Sequence, residues 1–352
     1  MSLGNTEHID SILALAASSG ASDAHFIVGR QPVFRIDGNL VDVEQETALT
    51  PASMEELVYS VITPEQKERF LEQRELDFAY QVKRDARFRV NIHWARNNIG
   101  MVARVIPVTL PTMQQLDVPE VMYDLLNLHQ GLILVTGPTG CGKSSTLAAM
   151  INHINQTRRA HIVTLEDPIE YVFFSNQCII RQRELYKDFL SFGTALKHVV
   201  RQDPDIIMVG EMRDLETISA ALTVAETGHL VLATLHTLGS SQTIDRIIDV
   251  FPPYQQEQIR LQLSTELRAV MSQRLIPRIG GGRVAVREVL INTPAVANLI
   301  RENKITQIQT VMQTSSASHM NTLDQDLKRL YEEREINRET ALAYVEHKEL
   351  LE

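Results

Sequence analysis

The segment that most constrains the fold is GLILVT-GPTGCGKS-STLAAM, at residues 131–150. An apolar run of strand type leads into a loop carrying Gly137, Gly142, Lys143 and Ser144, and a run of good helix formers follows. Glycines let the backbone wrap around a phosphate, so that successive N–H groups and the helix N-terminus point at it. The lysine of such a loop reaches the β- and γ-phosphates, and the serine holds Mg²⁺. The segment therefore predicts a site for ATP and Mg²⁺. A chance glycine-rich turn is disfavoured because both flanks fit the same mechanism.

The predicted phosphate contacts extend over the whole loop and into the first turn of the helix. They are Gly137, Pro138, Thr139, Gly140, Cys141, Gly142, Lys143, Ser144 and Ser145. Ser144 is in addition a predicted ligand of Mg²⁺. We expect the Cys141 thiol to be tolerated, because the loop acts at that position through its backbone N–H groups.

The pattern of apolar runs changes near residue 120. Four runs of buried-strand type follow, at 131–136, 160–165, 205–210 and 229–235, and they alternate with helical segments. This alternation predicts a mainly parallel sheet with both faces covered. Residues 1–106 instead resemble a small α+β domain, 107–119 a proline-punctuated linker, 120–290 the α/β core and 291–352 a helical C-terminal region.

Acidic residues follow two of the apolar runs. Glu211 comes after IIMVG, and HIVTLEDPIEY at 161–171 contains Glu166 and Glu170. Carboxylates just past the ends of parallel strands lie in the crevice where α/β sheets bind ligands. Glu211 is therefore a predicted metal ligand, and Glu166 and Glu170 are candidates to position or activate water. Each of the three could instead be a solvent-exposed charge at the end of a strand, without a role in catalysis or metal binding.

Two histidines, His229 and His236, stand at the two ends of the run LVLATL. A single histidine is more often a satisfied core or surface residue than a catalytic one. Spacing alone leaves the role of both open.

Composition excludes several classes of protein. The 44 acidic and 34 basic residues give a net charge of −10, and the basic ones are dispersed, which disfavours nucleic acid as a direct partner. Two cysteines, Cys141 and Cys178, cannot build a disulfide framework or a four-thiolate zinc site. No stretch approaches the ~20 apolar residues of a transmembrane helix. We therefore expect a soluble, cytoplasmic protein without a transmembrane segment.

Several long motifs in this order resemble the secretion ATPase superfamily, and within it the PilT-type twitching-motility ATPases that retract type IV pili. GPTGCGKS is similar to the Walker A loop, TLEDPIEY to the aspartate box, RQDPDIIMVGEMRDLET to the Walker B region and AETGHLVLATLHT to the histidine box. GASDAHFIVGRQPVFRIDG resembles the PAS-like N-terminal domain of that family. The resemblance implies a RecA-like P-loop ATPase core with an N-terminal PAS-like α+β domain and a helical C-terminal region.

The resemblance also implies roles for individual residues. Glu211 becomes the Walker B acid, Glu170 the catalytic glutamate with Glu166 beside it, and His229 the histidine that contacts nucleotide, with His236 nearby. Arginines of the N-terminal domain reach the nucleotide site between domains or subunits in this family. The matching residues here are Arg87, Arg89 and Arg104. From the strand pattern alone, Arg87 and Arg89 are alternate residues on one face of a strand.

The implied function is a hexameric motor, a ring of identical subunits, that retracts type IV pili by acting on the inner-membrane platform, with which it associates peripherally. Two segments depart from the family pattern. AVANLIRE at 295–302 stands where AIRNLIRE is usual, and Arg181-Gln182-Arg183-Glu184 where Asn-Gln-Arg-Glu is usual.

Alternatives to the retraction motor are an accessory retraction paralogue, a pilus-assembly or type II secretion ATPase, a RecA-like nucleic-acid translocase, and a nucleotide-binding regulator with negligible hydrolysis. Assembly and type II enzymes usually carry a four-cysteine zinc motif, which two cysteines cannot supply.

Overall fold

The structure is a computed structural model that describes residues 3–36, 38–82, 86–106, 109–314 and 319–351. These residues form two compact units. The first comprises Met1–Thr109 with Pro168–Val172, and the second Leu110–Asp167 with Phe173–Glu352. The predicted linker at 107–119 spans the division between them, and its residues Pro107 and Val108 lie outside the described part of the chain.

The first unit is an antiparallel sheet with helices on one face. Its elements are α1 (Leu3–Ser18), β1 (Asp23–Phe26), β2 (Val33–Ile36), β3 (Asn39–Asp42), α2 (Pro51–Tyr59), α3 (Pro64–Gln73), β4 (Glu75–Val82), β5 (Ala86–Ala95) and β6 (Asn98–Ile106). Within the described residues the strand order is β3-β2-β1-β6-β5-β4. Burial alternates along β5, where Phe88, Val90 and Ile92 enter the core with Ile9 and Leu13 of α1. Arg87 and Arg89 therefore share the opposite face, as a strand with a period of two requires.

The second unit is an α/β sheet flanked by helices. Its elements are α4 (Val121–Leu125), β7 (Gly131–Thr136), α5 (Lys143–Thr157), β8 (His161–Glu166), β9 (Ile179–Glu184), α6 (Phe192–Val199), β10 (Ile206–Val209), α7 (Leu215–Glu226), β11 (Leu230–Leu235), α8 (Ser240–Asp249), α9 (Pro253–Glu266), β12 (Leu267–Pro277), β13 (Arg283–Ile291), α10 (Pro294–Arg301), α11 (Ile308–Thr314), α12 (Leu323–Glu332) and α13 (Arg338–Tyr344). Short 3₁₀ turns lie at Val200–Gln202, Ile305–Gln307 and Lys348–Leu351.

The sheet of this unit is parallel except at one edge. In the described part of the chain the strand order is β13-β12-β7-β11-β10-β8-β9, and only β13 runs antiparallel to its neighbour. Every residue of β7, β10 and β11 is buried, because helices cover both faces. This explains why these strands are continuous apolar runs in the sequence, and it confirms the predicted α/β core.

The carboxyl ends of the parallel strands define one edge of the sheet. β7, β11, β10 and β8 all end there, so the segments that follow them lie side by side. The phosphate loop follows β7, Glu211 follows β10, His236 follows β11, and Glu166 ends β8. This edge of the second unit is where the predicted chemistry collects.

The C-terminal region is helical as predicted, except that β13 continues to Ile291. AVANLIRE (residues 295–302) comprises all of α10 except its first residue, Pro294, and ends one residue beyond the helix. Val296, Ala297 and Ile300 are buried there, while Asn298 and Arg301 are exposed. The alanine at 297, where the resembling family has arginine, is therefore a packed residue in this chain. No helix in the described part of the chain has both the length and the apolar composition that crossing a bilayer demands.

Candidate functional site

The phosphate loop is a tight turn between β7 and α5 that is closed by its glycines. Gly137 and Gly142 have φ values of 141° and 91°, in the left-handed region that side chains disfavour. A Cβ on Gly137 would stand 2.2 Å from the carbonyl oxygen of Gln273, so only glycine fits there. Gly142 ends the turn, and α5 begins at Lys143 with its first N–H groups directed back at the loop.

The predicted loop residues differ in exposure. Gly137, Cys141 and Lys143 are buried, Pro138, Gly142 and Ser145 are half-buried, and Thr139, Gly140 and Ser144 are exposed. Burial raises the pKa of the Cys141 thiol above its ordinary value, so the thiol stays protonated at neutral pH. The exposed side of the loop is the side open to a ligand.

The Lys143 side chain reaches back over the first two residues of the loop. Its ammonium donates hydrogen bonds to the carbonyl oxygens of Gly137 (2.8 Å) and Pro138 (3.1 Å), and its Nζ lies 3.3 Å from Nδ1 of His236. A buried ammonium needs such acceptors, because desolvation without them is costly. Phosphate oxygens can take over this role when a nucleotide binds.

Glu211 follows β10 and is held by the neighbouring strand. The Thr234 hydroxyl of β11 donates to the Gly210 carbonyl oxygen (2.5 Å), and the Met212 N–H donates to the Thr234 carbonyl oxygen (3.0 Å). Oε1 of Glu211 is 2.8 Å from Nε of Arg213 and 3.0 Å from Nε2 of His236.

The electrostatic balance at Glu211 favours its ionised form. Burial raises the pKa of this carboxyl. The hydrogen bond and positive charge of Arg213, together with His236, lower the pKa by more, so it lies below its ordinary value. Glu211 is consequently a carboxylate at neutral pH, the state required of a group that acts on a metal ion or on its water ligands.

His236, and not His229, lies at the phosphate loop. His236 follows the carboxyl end of β11 and joins Lys143 to Glu211, with one ring nitrogen near each. His229 precedes β11, at the opposite edge of the sheet, where Nδ1 lies 3.1 Å from the Val224 carbonyl oxygen and 3.2 Å from the Thr227 hydroxyl. The structure thus places His229 away from the phosphate loop of its own chain, and the nucleotide contact that the resemblance implied for it stays a prediction. The direction of β11 decides this placement, since its carboxyl end borders the carboxyl end of β7.

Glu166 is buried at the end of β8. Its Oε1 accepts hydrogen bonds from the Thr164 hydroxyl (2.6 Å) and from Nε2 of Gln182 (2.9 Å). Gly210, which precedes Glu211, packs closely here, since a Cβ on it would stand 3.2 Å from the Leu165 carbonyl oxygen and 3.4 Å from Cα of Glu166. Glu166 thus lies at the same sheet edge as Glu211, inside a hydrogen-bonded network.

The remaining predicted residues belong to the first unit. Glu170 forms an ion pair with Arg89, with 3.9 Å between Oε1 and Nη1. Arg104 lies opposite Arg89 in the β5–β6 register, and its Nε donates to Oδ1 of Asp23 at 2.8 Å. Within this unit the structure therefore brings Glu170 to Arg89, while Arg104, on the neighbouring strand, pairs with Asp23.

Oxygen ligands suited to Mg²⁺ are present at the sheet edge. The Ser144 side chain is exposed at the start of α5, and Glu211 supplies a carboxylate. Among the described residues no three His, Cys, Asp or Glu side chains form a metal-binding group. Mg²⁺ keeps several waters and is commonly held by one or two protein oxygen ligands together with substrate phosphates.

Two further residues of the site escaped the sequence analysis. Arg213 pairs with Glu211, and Gln273 of β12 contacts the phosphate loop from behind. Arg213 did carry a usable signal, because it closely follows the carboxyl end of the predicted parallel strand at 205–210. Gln273 carries no local signal, since its proximity depends on the order of strands in the sheet.

A glycine-rich loop between a parallel strand and a helix, with its buried lysine, and an ionised acid after a neighbouring strand define a P-loop ATPase of the α/β class. Comparison with known proteins then narrows the class. The profile of the family described as type II/IV secretion system protein matches residues 5–338. The chain belongs to this family.

Individual relatives match over nearly the whole chain. The type IV pilus retraction ATPase PilT of Pseudomonas aeruginosa is 47% identical over 95% of this chain and 96% of its own length. A twitching motility protein of Neisseria gonorrhoeae is 49% identical over 85% of this chain and 80% of its own length. A crystal structure of the pilus retraction motor PilT with bound ADP has a TM-score of 0.91 and 44% identity, and the match covers 97% of this chain and 98% of that one.

Proposed function

We propose that this chain hydrolyses ATP to power the retraction of type IV pili, and hence twitching motility. The observation that carries the proposal is the continuous set Lys143–His236–Glu211 at the phosphate loop, in a chain that matches a retraction ATPase over 95% of its length. A group that touches the loop lysine and the acid together is suited to sense whether the terminal phosphate is present.

The proposed site residues divide by unit. In the second unit, residues 137–145 bind the phosphates of ATP, Ser144 and Glu211 hold Mg²⁺, and His236 contacts the terminal phosphate. For the first unit we retain the roles that the family resemblance implies. They concern Glu170 as the catalytic glutamate, and Arg87, Arg89 and Arg104 as charge-stabilising arginines. Glu166 supports this constellation from within its hydrogen-bonded network.

The proposed assembly is a homohexameric ring that acts on the inner-membrane platform of the pilus from the cytoplasm. Heterologous contacts between identical subunits form a ring when the rotation closes. The proposed organisation is a PAS-like domain at 1–106, a linker at 107–119, a RecA-like core at 120–290 and a helical region at 291–352.

The rival assignments differ in features that the structure describes. A pilus-assembly or type II secretion ATPase would use a four-cysteine zinc site, whereas Cys141 lies in the phosphate loop and Cys178 before β9, both buried. A nucleic-acid translocase is disfavoured by the net charge of −10. An accessory retraction paralogue shares the same site, and only a phenotype separates it from the main motor.

The deciding experiment is deletion of the gene in its native host, with complementation by the wild type and by Lys143→Ala. We expect hyperpiliated, non-twitching cells that the wild type restores and the variant does not. Bald cells would assign the chain to pilus assembly. Normal pili and normal twitching would refute a role as the main retraction motor.

A further inference from the structure

One residue outside the Walker A, Walker B, aspartate-box and histidine-box segments contacts the phosphate loop near both of its ends. Ser272 of β12 lies opposite Thr136 of β7, so the next residue, Gln273, stands opposite Gly137, the first residue of the loop. Gln273 is almost completely buried, with 1% of its surface exposed. A buried carboxamide must find partners for both its donor and its acceptor.

The loop itself supplies these partners. Nε2 of Gln273 donates to the Cys141 carbonyl oxygen at 2.8 Å, and Oε1 accepts from the Thr146 hydroxyl at 3.0 Å. The backbone carbonyl of Gln273 packs against Gly137. A single residue therefore touches the start of the loop, its penultimate carbonyl and the first turn of α5.

The hydrogen bond to Cys141 has a directional consequence. In a trans peptide the C=O of one residue and the N–H of the next point in opposite directions. When Gln273 draws the Cys141 carbonyl towards β12, the Gly142 N–H is aimed away from β12, to the side on which a phosphate would lie. The hydrogen bond from Thr146 to Gln273 also fixes the position of α5 relative to β12. The N–H groups at the N-terminus of α5 are the second set of donors that can face a phosphate.

We propose that Gln273 is a positioning residue that presets the phosphate loop for the nucleotide. It holds the loop N–H groups in their binding orientation before ATP arrives, which lowers the ordering cost of binding. The inference rests on the proposed assignment of residues 137–145 to the phosphates. It adds to that assignment a residue of β12 that lies 132 positions after Cys141 in the chain.

The test compares ADP affinity with the stability of the nucleotide-free protein in three variants. Gln273→Met keeps the volume and removes both hydrogen bonds, and we expect about tenfold weaker ADP binding, equivalent to about 1.4 kcal/mol. Thr146→Val removes only the anchor of Oε1 and should weaken ADP binding by a smaller factor. The double variant should resemble Gln273→Met alone, because both changes act on one linkage.

Ser272→Ala is the matched control. Its hydroxyl is equally buried on the same strand but pairs with Thr136 (2.7 Å between the oxygens) and makes no described contact with the loop. It should lower the unfolding midpoint while ADP affinity stays within about twofold of the wild type. For Gln273→Met, the KM for ATP should rise more than kcat falls, since the loop holds the phosphates in the ground state and the transition state alike.

The outcomes separate the two proposals. If the wild type fails to bind ADP, the phosphate assignment falls, and the Gln273 inference falls with it. If the wild type binds ADP but folded Gln273→Met binds it within about twofold as tightly, the positioning role alone is refuted. An equal loss of ADP affinity in Ser272→Ala would also refute it, because the effect would then be general to β12. Should Gln273→Met not fold, Thr146→Val and its ADP affinity decide in the same way.

Discussion

Replacing His236 by alanine tests which of the two histidines serves the nucleotide site. The ring joins two charged groups, with Nε2 3.0 Å from Glu211 Oε1 and Nδ1 3.3 Å from Lys143 Nζ. Hydrogen bonds to charged groups contribute about 1.5–3 kcal/mol each, which corresponds to about 10- to 150-fold in rate if the bond matters in the transition state. The side chain is 41% exposed, so its removal should disturb the core little.

His229→Ala is the control at the other end of β11. Seven residue steps of about 3.3 Å each separate the two histidines by roughly 23 Å. The hydrogen-bond partners of His229 are Val224 of α7 and Thr227 just after it, away from the phosphate loop. His229→Ala should therefore lower the stability of the fold somewhat while leaving the ATPase rate per folded site nearly unchanged.

The assay is steady-state ATP hydrolysis by the purified wild type and the two variants, at equal oligomeric state and well below their unfolding temperatures. We expect a loss of at least about tenfold in kcat for His236→Ala and less than about threefold for His229→Ala. A double-mutant cycle with Glu211→Gln should show coupling for His236, because the two side chains are in contact. Equal losses in both histidine variants would refute the reasoning from strand direction.

Four further predictions concern single residues. Lys143→Ala should lower ATP turnover by about 10²–10³-fold with an unchanged circular dichroism spectrum, and an unaltered rate would contradict the loop assignment. Arg104→Ala removes a donor that, with Ser22, lowers the pKa of Asp23 against the effect of burial. A lowered carboxyl pKa stabilises the fold above the unfolded value of about 3.9, and this contribution is lost as pH falls through the folded value. Urea unfolding should therefore show Arg104→Ala destabilised at pH 7, with the difference from the wild type shrinking as the pH falls below about 3.9, and a pH-independent difference would contradict this. In α10, Ile300→Ala should reduce the free energy of unfolding by about 2–5 kcal/mol, because the side chain is fully buried. The segment AVANLIRE resembles AIRNLIRE, so we propose that the exposed face of α10 couples ATP hydrolysis to retraction. Arg301→Ala, on that face, should therefore preserve ATP hydrolysis and reduce twitching, and normal twitching would refute this coupling role.

The buried face of α10 also bears on how its role can be tested. Deleting residues 295–302 would remove Val296 and Ile300 from the hydrophobic core of the second unit. Loss of motility in such a deletion would not separate a mechanical role from unfolding. Substitutions on the exposed face, at Asn298 and Arg301, avoid this difficulty.

The features that the sequence determined by itself are local or periodic. The phosphate loop is specified within eight residues, because its glycines, lysine and serine act through the backbone around them. The buried parallel strands are recognisable since residues covered on both faces must be apolar throughout. Alternation along β5 likewise assigned Arg87 and Arg89 to one face.

The tertiary structure alone decided which distant residues meet. The strand order β12-β7-β11-β10-β8 places Gln273 behind the loop and His236 and Glu211 beside it, although up to 136 residues separate members of this group. The direction of β11 places His229 at the far edge of the sheet, and the packing of α10 buries Ala297. These contacts depend on which strands pair and in which direction they run, and pairing between strands distant in sequence leaves no mark in the residues of either strand alone.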